Sequence, residues 1–187
     1  MVVTAVSTSL DEQTLITRAQ QGDRQAFGEL VRQHREGVVN VVYRMCGDAQ
    51  LAEEAAQEAF LRAWQNLARY NPRFAFRNWV YRIAVNVAVD ALRRERPVEH
   101  LDALPLASSA DSPEAWMERQ QQAEQVRQAV LSLPPASRAA LVLREFEGLG
   151  YQEIADVLDI PLGTVMSRLN YARSQLRQAL SRQPEDA

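Results

Sequence analysis

Four side chains that can hydrogen bond or stack share one face of a predicted helix near the end of the chain: Thr164, Ser167, Arg168 and Tyr171. Arg168 could bond to guanine through two parallel hydrogen bonds, which contributes roughly 1–3 kcal/mol of discrimination between bases. Arg173 and Arg177 follow on the same helix and suit phosphates, which position DNA without specifying its sequence. These residue types at this spacing indicate recognition of duplex DNA.

The opposite face of this helix is apolar and repeats at intervals of four, three and four residues: Val165, Leu169, Ala172 and Leu176. A shorter amphipathic segment, residues 151–158, precedes it, and a turn containing Pro161 and Gly163 joins the two. This arrangement is typical of a helix-turn-helix, whose second helix enters the major groove. A small helical hairpin without a DNA-binding role shows the same pattern, so that alternative stays open at this point.

A second segment, residues 70–94, interleaves aromatic residues with arginines: Tyr70, Arg73, Phe74, Phe76, Arg77, Trp79, Tyr81 and Arg82. This mixture suits single-stranded nucleic acid, because bases stack on rings at roughly 1–3 kcal/mol each while phosphates pair with guanidinium groups. Asn86 stands in an apolar run, which indicates contact with a ligand or an internal hydrogen bond. Among the aromatic residues, we expect Trp79 and Phe74 to belong to the core.

A third segment, residues 50–67, predicts a helix with an apolar stripe and, opposite, a line of polar residues around one leucine: Glu54, Gln57, Glu58, Leu61 and Gln65. A leucine among acids suits docking on another protein, with Leu61 as the apolar anchor. A solvated face with one isolated leucine is the commoner explanation of such a pattern taken alone.

Helical periods dominate the chain, and 7 Gly and 8 Pro in 187 residues are few, so we predict an all-α protein. Residues 85–92 alternate like a strand, but the length of their segment and the lack of a partner strand favour a helix. The predicted organisation is an N-terminal tail over 1–9, a helical domain over 10–95, a flexible Pro- and Ser-rich linker over 96–113, a second helical domain over 114–180 and a tail over 181–187.

The net charge of −3 argues against DNA binding through bulk charge alone, but the charge is unevenly placed. Residues 69–96 carry a net charge of +5 and residues 163–182 carry +4, whereas residues 48–67 carry −3. Two basic patches and one acidic patch indicate nucleic acid at two sites and a different partner at a third.

Other classes of protein find little support in the sequence. Cys46 is the single cysteine, so an internal disulfide is excluded, and this fits a reducing compartment. No apolar run is long enough to span a bilayer, and the first nine residues do not resemble a signal peptide. His34 and His100 lack neighbouring ligands, and phosphate loops and nucleophile motifs are absent. We therefore expect no catalytic site, metal, cofactor or small-molecule substrate.

Six separate motifs carry a family resemblance: residues 19–27 (AQQGDRQAF), 55–64 (AAQEAFLRAW), 76–86 (FRNWVYRIAVN), 133–135 (LPP), 149–155 (LGYQEIA) and 163–173 (GTVMSRLNYAR). In order and spacing, over about residues 10–180, they resemble the extracytoplasmic-function group (group 4) of the bacterial sigma-70 family. The resemblance implies region 2 over residues 10–95 and region 4 over residues 114–180. It implies an alternative sigma factor, of the kind used in stress responses, that binds core RNA polymerase and initiates transcription at promoters.

The resemblance also implies roles for particular residues. The set that would bind the β′ clamp helices of core polymerase is Asp48, Glu54, Gln57, Glu58, Leu61 and Gln65. The set that would melt and hold the −10 element is Arg73, Phe76, Arg77, Asn78, Trp79, Arg82, Asn86 and Arg93. The set that would read the −35 duplex is Thr164, Ser167, Arg168, Tyr171, Arg173 and Arg177.

The resemblance also implies binding partners and a cellular location. The second domain would also meet the β flap, and an anti-sigma factor would cover these surfaces. Polymerase would do the chemistry, so the chain itself would be no enzyme, would insert no segment into a membrane and would act in the cytoplasm. Met166 and Gly150 depart from the family pattern, which often has a basic residue and a Ser or Thr there.

Two alternatives remain beside the sigma factor. One is a helix-turn-helix regulator that binds duplex DNA without sigma activity, but residues 10–95 lack the βα alternation of a receiver domain. The other is a helical interaction protein or small-molecule enzyme, which leaves two basic patches around an acidic face unexplained.

Overall fold

The computed structural model describes residues 3–94 and 113–181, and these residues form eight α-helices and one short 3-10 helix, with no strand. The first domain consists of α1 (Val3–Gln20), α2 (Arg24–Cys46), α3 (Ala49–Asn66), the 3-10 turn Leu67–Arg69 and α4 (Phe76–Arg94). The second consists of α5 (Pro113–Leu131), α6 (Pro135–Glu145), α7 (Tyr151–Leu158) and α8 (Leu162–Leu180). The prediction of an all-α fold is confirmed.

Two predicted boundaries differ from the structure. Helix α1 begins at Val3, whereas the sequence predicts that the first helix begins near Leu10. The β-branched and Ser residues there have low helix propensity, but an existing helix extends at little cost where no Gly or Pro interrupts it. Helix α4 begins at Phe76, two residues before the start at about Asn78 that the sequence predicts, and it includes the alternating residues 85–92.

The predicted linker lies outside the described residues except for Pro113, where α5 begins, and so does the predicted C-terminal tail after Ser181.

The helices of the first domain begin and end at recognisable capping residues. Asp23 caps α2, where its Oδ1 accepts hydrogen bonds from the backbone N–H groups of Gln25 and Ala26 at 2.9 and 3.1 Å. Gly47 ends α2 in the left-handed conformation, with φ 78°, and Asp48 then caps α3. The position of Gly47 is crowded as well, because a Cβ there would lie 2.6 Å from Cδ1 of Leu131 in the second domain.

The first domain packs α2, α3 and α4 against one another, with α1 against α2. The buried stripe of α3 consists of five alanines and one large residue, Phe60: Ala52, Ala55, Ala56, Ala59, Phe60 and Ala63. Small side chains let helix axes approach closely, so most of the larger core residues come from α2 and α4. This stripe leaves the opposite face of α3 turned towards solvent.

The two domains pack directly on each other, and one continuous apolar cluster contains residues of both. Helix α2 contacts α5 and α6, and α4 contacts α7. Arg127 of α5 donates to the carbonyl oxygen of Gly47 at 3.1 Å, and the Arg44 guanidinium lies 3.9 Å from the centre of the Phe146 ring. Nothing in the sequence predicts this packing.

Arg138 of α6 lies at the centre of this interface, with 7% of its surface exposed. Its guanidinium donates to three backbone carbonyls, that of Met45 in the first domain and those of Leu131 and Leu133 in the second. The Met45 carbonyl belongs to the last turn of α2, where carbonyl groups lack helical partners and the helix dipole attracts cations. Burial lowers the pKa of Arg138.

Replacing Arg138 by Ala should lower the free energy of unfolding by about 3 kcal/mol, because three buried carbonyls lose a charged donor. Chemical denaturation followed by circular dichroism measures this change. Arg177→Ala is the matched control, since Arg177 is exposed and its loss should stay within about 0.5 kcal/mol. Equal stability of the two variants would contradict the anchoring role of Arg138.

Candidate functional site

Helices α7 and α8 form the helix-turn-helix that the sequence predicts. Ile154 and Val157 of α7 and Leu169 of α8 are buried against the rest of the second domain. Asp159 makes the corner in the left-handed conformation, with φ 55°, which Asp tolerates better than most residues. Gly150 has no side chain to cap α7, but Glu153 reaches back to its backbone N–H at 2.8 Å, so half of a capping box is present.

The outer face of α8 brings its four predicted DNA-reading residues together. Ser167 and Tyr171 are exposed, Thr164 and Arg168 are half-buried, and the Ser167 hydroxyl donates to the Thr164 carbonyl at 3.0 Å. We call this set, Thr164, Ser167, Arg168 and Tyr171, the α8 face. It is a short polar patch at the N-terminal half of a helix, as major-groove reading requires.

The two arginines that follow the α8 face differ in their surroundings. Arg177 is exposed. Arg173 is held by Glu145 at 2.8 Å and by the Tyr151 hydroxyl at 3.4 Å, and these partners raise its pKa. Arg173 can therefore bind a phosphate only if it leaves Glu145 or shares its guanidinium between the two anions.

The line of residues predicted on α3 faces solvent, with Glu58 half-buried and the other four exposed, and we call it the α3 face: Glu54, Gln57, Glu58, Leu61 and Gln65. Leu61 has 52% of its surface exposed, and Glu58 pairs with Arg62 at 2.7 Å. Asp48 stands apart from this face, because its carboxylate caps α3 by accepting from the backbone N–H of Leu51 at 2.8 Å.

Five arginine and asparagine side chains predicted to hold the −10 strand are exposed on α4 and the loop before it: Arg73, Arg77, Arg82, Asn86 and Arg93. The loop is stabilised by its own polar groups, since Asn71 Oδ1 accepts from the Arg73 N–H at 3.0 Å and the Tyr70 hydroxyl donates to the Phe74 carbonyl at 2.6 Å. We call Arg73, Arg77, Asn78, Arg82, Asn86 and Arg93 the α4 surface.

The structure corrects the roles predicted for the aromatic residues. Phe76, predicted to contact DNA, is 2% exposed, and its ring packs against those of Tyr70 and Trp79 at 5.6 and 5.7 Å. Phe74, predicted to be core, is 44% exposed. Trp79 is half-buried and packs on the core, which leaves only part of its ring for contact with a base.

Three hydrogen-bonded pairs join α4 to the second domain, and we call them the clasp: Asn78 Nδ2 to Glu153 Oε1 at 2.8 Å, the Tyr81 hydroxyl to Glu147 Oε2 at 2.5 Å, and Arg82 Nη2 to Asp159 Oδ2 at 2.8 Å. Burial and the Glu147 carboxylate raise the pKa of Tyr81, so its hydroxyl keeps its proton. Asn78 is 7% exposed, so its predicted contact with DNA is impossible in this conformation.

Sequence reasoning missed Tyr81 as a contact residue, the three carboxylates of the clasp and Arg138. For Glu153 the sequence does indicate a structural role, because a Glu three residues after Gly150 fits a capping box. The other residues pair with positions far away in the sequence, and no local pattern marks such pairs. Within the residues that the structure describes, no group of three His, Cys, Asp or Glu could hold a metal, and no helix is long and apolar enough to cross a membrane.

Together the fold and these surfaces define a two-domain helical DNA-binding protein with a separate acidic face on α3. The family model for sigma-70 region 2 matches residues 30–98, and that for sigma-70 region 4 matches residues 123–176. The chain belongs to the extracytoplasmic-function sigma factors of the sigma-70 family. It is an alternative sigma factor that directs RNA polymerase in transcription initiation, and sigma factors are non-catalytic initiation factors.

Relatives from several bacteria match nearly the whole chain. The RNA polymerase sigma-H factor of Pseudomonas aeruginosa is 38% identical over 92% of this chain and 95% of its own length. The ECF RNA polymerase sigma factor SigW of Bacillus subtilis is 34% identical over 88% of this chain and 94% of its own length. The ECF RNA polymerase sigma-E factor of Escherichia coli is 35% identical over 91% and 95%, respectively.

Solved structures share the fold. CnrH, solved in complex with the cytosolic domain of CnrY, matches with a TM-score of 0.72 and 25% identity, over 93% of this chain and 99% of that chain. RpoE of Bartonella quintana, solved with the anti-sigma factor NepR, matches with a TM-score of 0.69 over 84% of this chain and 98% of that chain. The identity of the second pair, 17%, supports a shared fold alone.

Phe76→Ala should lower the free energy of unfolding by roughly 3–5 kcal/mol, because it empties a packed aromatic site in the core. Phe74→Ala is the matched control two residues away, and it should cost less than about 1 kcal/mol because that ring is exposed. Denaturant titration of both variants measures the difference. A larger loss for Phe74→Ala would contradict the assignment of Phe76 to the core.

Proposed function

We propose that the three surfaces divide the work of initiation among them: the α3 face binds core polymerase, the α4 surface holds the single-stranded −10 element, and the α8 face reads the −35 duplex. The observation that carries this proposal is that one chain exposes an acidic face around Leu61 and, on other helices, two sets of side chains suited to DNA. The side chains of each set can form the interactions expected with the proposed partner of that set.

Binding of the α3 face to the β′ clamp helices is supported by its composition and exposure. Hot spots of protein interfaces are apolar anchors surrounded by polar groups that exclude water. Leu61 is such an anchor, and Glu54 and Glu58 lie beside it to meet basic residues of the partner. Asp48 contributes to polymerase binding by capping α3, which fixes where this helix begins, rather than by contacting polymerase itself.

Binding of the −10 strand to the α4 surface is supported by the exposed arginines and by the half-buried Trp79. Guanidinium groups pair with phosphates and an aromatic ring stacks on a base, and both interactions tolerate sequence variation. Asn86 and Arg93 are exposed along one side of α4, whereas Arg73 is exposed in the loop before the helix and Arg77 in its first turn. Asn86 can hydrogen bond to a base edge.

Reading of the −35 element by the α8 face is supported by its place at the N-terminal half of the second helix of the motif. Arg168 is the base-reading residue, and Thr164, Ser167 and Tyr171 bond to neighbouring bases or phosphates. Arg173 and Arg177 contact phosphates on either side and fix the position of the helix in the groove.

The same proposal extends to partners and place. We infer that the second domain also contacts the β flap, that an anti-sigma factor holds the chain inactive, and that the chain acts in the cytoplasm, where polymerase meets the chromosome. CnrH was solved in complex with the cytosolic domain of CnrY, which supports a protein partner that binds the chain. Polymerase carries out the chemistry, and the chain itself catalyses no reaction.

Run-off transcription tests this function. Purified core RNA polymerase, the chain and a pool of randomised promoters should yield transcripts only when the chain is added, and the enriched templates should reveal two conserved elements. A folded chain that binds duplex DNA but supports no initiation would favour the regulator without sigma activity.

Arg168→Ala should weaken binding to −35 duplex by about 10- to 100-fold, which corresponds to the roughly 1–3 kcal/mol of a bidentate base contact. Its affinity for core polymerase should stay unchanged. Fluorescence anisotropy with a −35 duplex and with labelled core enzyme measures the two affinities separately.

Glu58→Ala combined with Leu61→Ala should show the reverse, with affinity for core polymerase lowered about tenfold or more and duplex binding unchanged. Each variant serves as the control for the other, since both lose exposed or half-exposed side chains from the same chain. Equal loss of both affinities in either variant would contradict the proposed division of work.

A further inference from the structure

The outer surface of α8 carries a second line of exposed side chains beside the α8 face. Met166 and Asn170 stand four residues apart, so they are neighbours along the helix, and both are exposed. Met166 has 47% of its surface exposed. Ser167 lies between this line and Arg168, so the two sets form one continuous surface. We call Met166 and Asn170 the second line of α8.

Helix geometry turns the second line towards the same partner as the α8 face. Val165 and Leu169 are buried, and they fix which side of α8 packs on the second domain. At about 3.6 residues per turn, Met166 and Asn170 fall on one flank of the exposed side and Arg168 falls on the other. A major groove that admits the N-terminal half of α8 therefore meets both flanks.

Met166 has the chemistry of a residue that reads thymine. Thymine is the base that presents a methyl group in the major groove, and apolar side chains contact that group. The Met side chain is unbranched and polarizable, so it adapts its shape to the surface that it meets. It carries no charge for a phosphate and no donor for a base edge. An exposed methionine is ordinary on a protein surface, but this one stands in the half of the helix that reads bases.

Asn170 suits the adenine that accompanies such a thymine. An Asn side chain forms two parallel hydrogen bonds with N6 and N7 of adenine. Side chains four residues apart on a helix lie about 6 Å from each other, and successive base pairs of DNA lie about 3.4 Å apart. Met166 and Asn170 can therefore reach the same A·T pair or two adjacent pairs.

We propose that Met166 is a specificity-determining residue, which recognises a thymine of the −35 duplex through its C5-methyl group, with Asn170 bonded to an adenine of the same or an adjacent A·T pair. This inference rests on the proposed function of the α8 face. Arg168 and the second line then read different bases, because Arg168 selects guanine and the second line selects A·T pairs.

Replacing thymine by uracil tests the methyl contact, because uracil pairs with adenine in the same way and lacks only the methyl group. The full-length chain is reconstituted with core RNA polymerase, and its affinity is measured for a labelled promoter that carries the −35 element selected by run-off transcription. Each thymine of this element is replaced by uracil, one at a time. For at least one thymine, the uracil promoter should bind about fourfold more weakly, as expected for one buried methyl group.

Variants of Met166 show whether that loss belongs to this side chain. Met166→Gln keeps the length of the side chain but makes its end polar, so the ratio of the two affinities should fall from about four to about one. Met166→Leu stays apolar and should keep most of the ratio. Met117→Gln is the matched control, because Met117 is an exposed methionine of α5 in the same domain, and it should leave the ratio unchanged.

The base 7-deazaadenine, which lacks the N7 acceptor, tests Asn170 in the same way. Replacing one adenine of the −35 element should weaken binding of the wild-type chain about fivefold, as expected for one lost hydrogen bond. Asn170→Ala should bind the two promoters equally. An effect of 7-deazaadenine that is the same in both proteins would contradict the contact between Asn170 and adenine.

The possible failures are distinguishable. A selected −35 element without an A·T pair, or a uracil effect that is equal in the wild-type chain and in Met166→Gln, would overturn recognition of thymine by Met166. Promoter binding that Arg168→Ala leaves unchanged would contradict the proposed function of the α8 face. Binding that depends on Arg168 but not on any thymine methyl group would overturn the inference about Met166 and leave that function standing.

Discussion

The position of the second domain depends on one buried guanidinium at the C-terminal end of α2. Arg138 binds a carbonyl of the first domain and two of the second, so it fixes α6 against the end of α2. The loop after α6 carries Glu147 to Tyr81, and α7 and the corner then lie along α4. A charged donor in an apolar interface costs free energy unless its bonds are made, which favours this one relative orientation.

The single side chain of Glu153 makes two hydrogen bonds with different roles. One of its oxygens accepts from the Gly150 N–H and caps α7, and the other accepts from Asn78 of the first domain. The cap lies within the second domain, so it does not depend on the bond to Asn78. The helix-turn-helix therefore has a cap of its own, although Gly150 supplies no capping side chain.

The sequence predicts features that depend on the spacing of residues within one helix. It does not predict features that depend on where a helix begins or on contacts between residues far apart in the chain. The α3 face and the α8 face follow from helical spacing, and their residues are exposed or half-buried rather than part of the core. The sequence predicts that the fourth helix begins at about Asn78, but α4 begins at Phe76, so Phe76 is a buried helical residue while Phe74 lies exposed in the loop before it. The clasp and Arg138 join residues far apart in the chain, and no spacing within one segment encodes such pairs.

The net charge of −3 is easier to understand once the acids are sorted by their surroundings. Acids of the α3 face point into solvent, where an incoming protein can meet them. Glu147, Glu153 and Asp159 point at α4, and Glu145 holds Arg173 of α8. Asp159 and Glu145 neutralise Arg82 and Arg173, whereas Glu147 and Glu153 accept from the neutral side chains of Tyr81 and Asn78. Part of the acidic charge is therefore taken up within the protein, while Arg73, Arg77, Arg93 and Arg177 stay exposed.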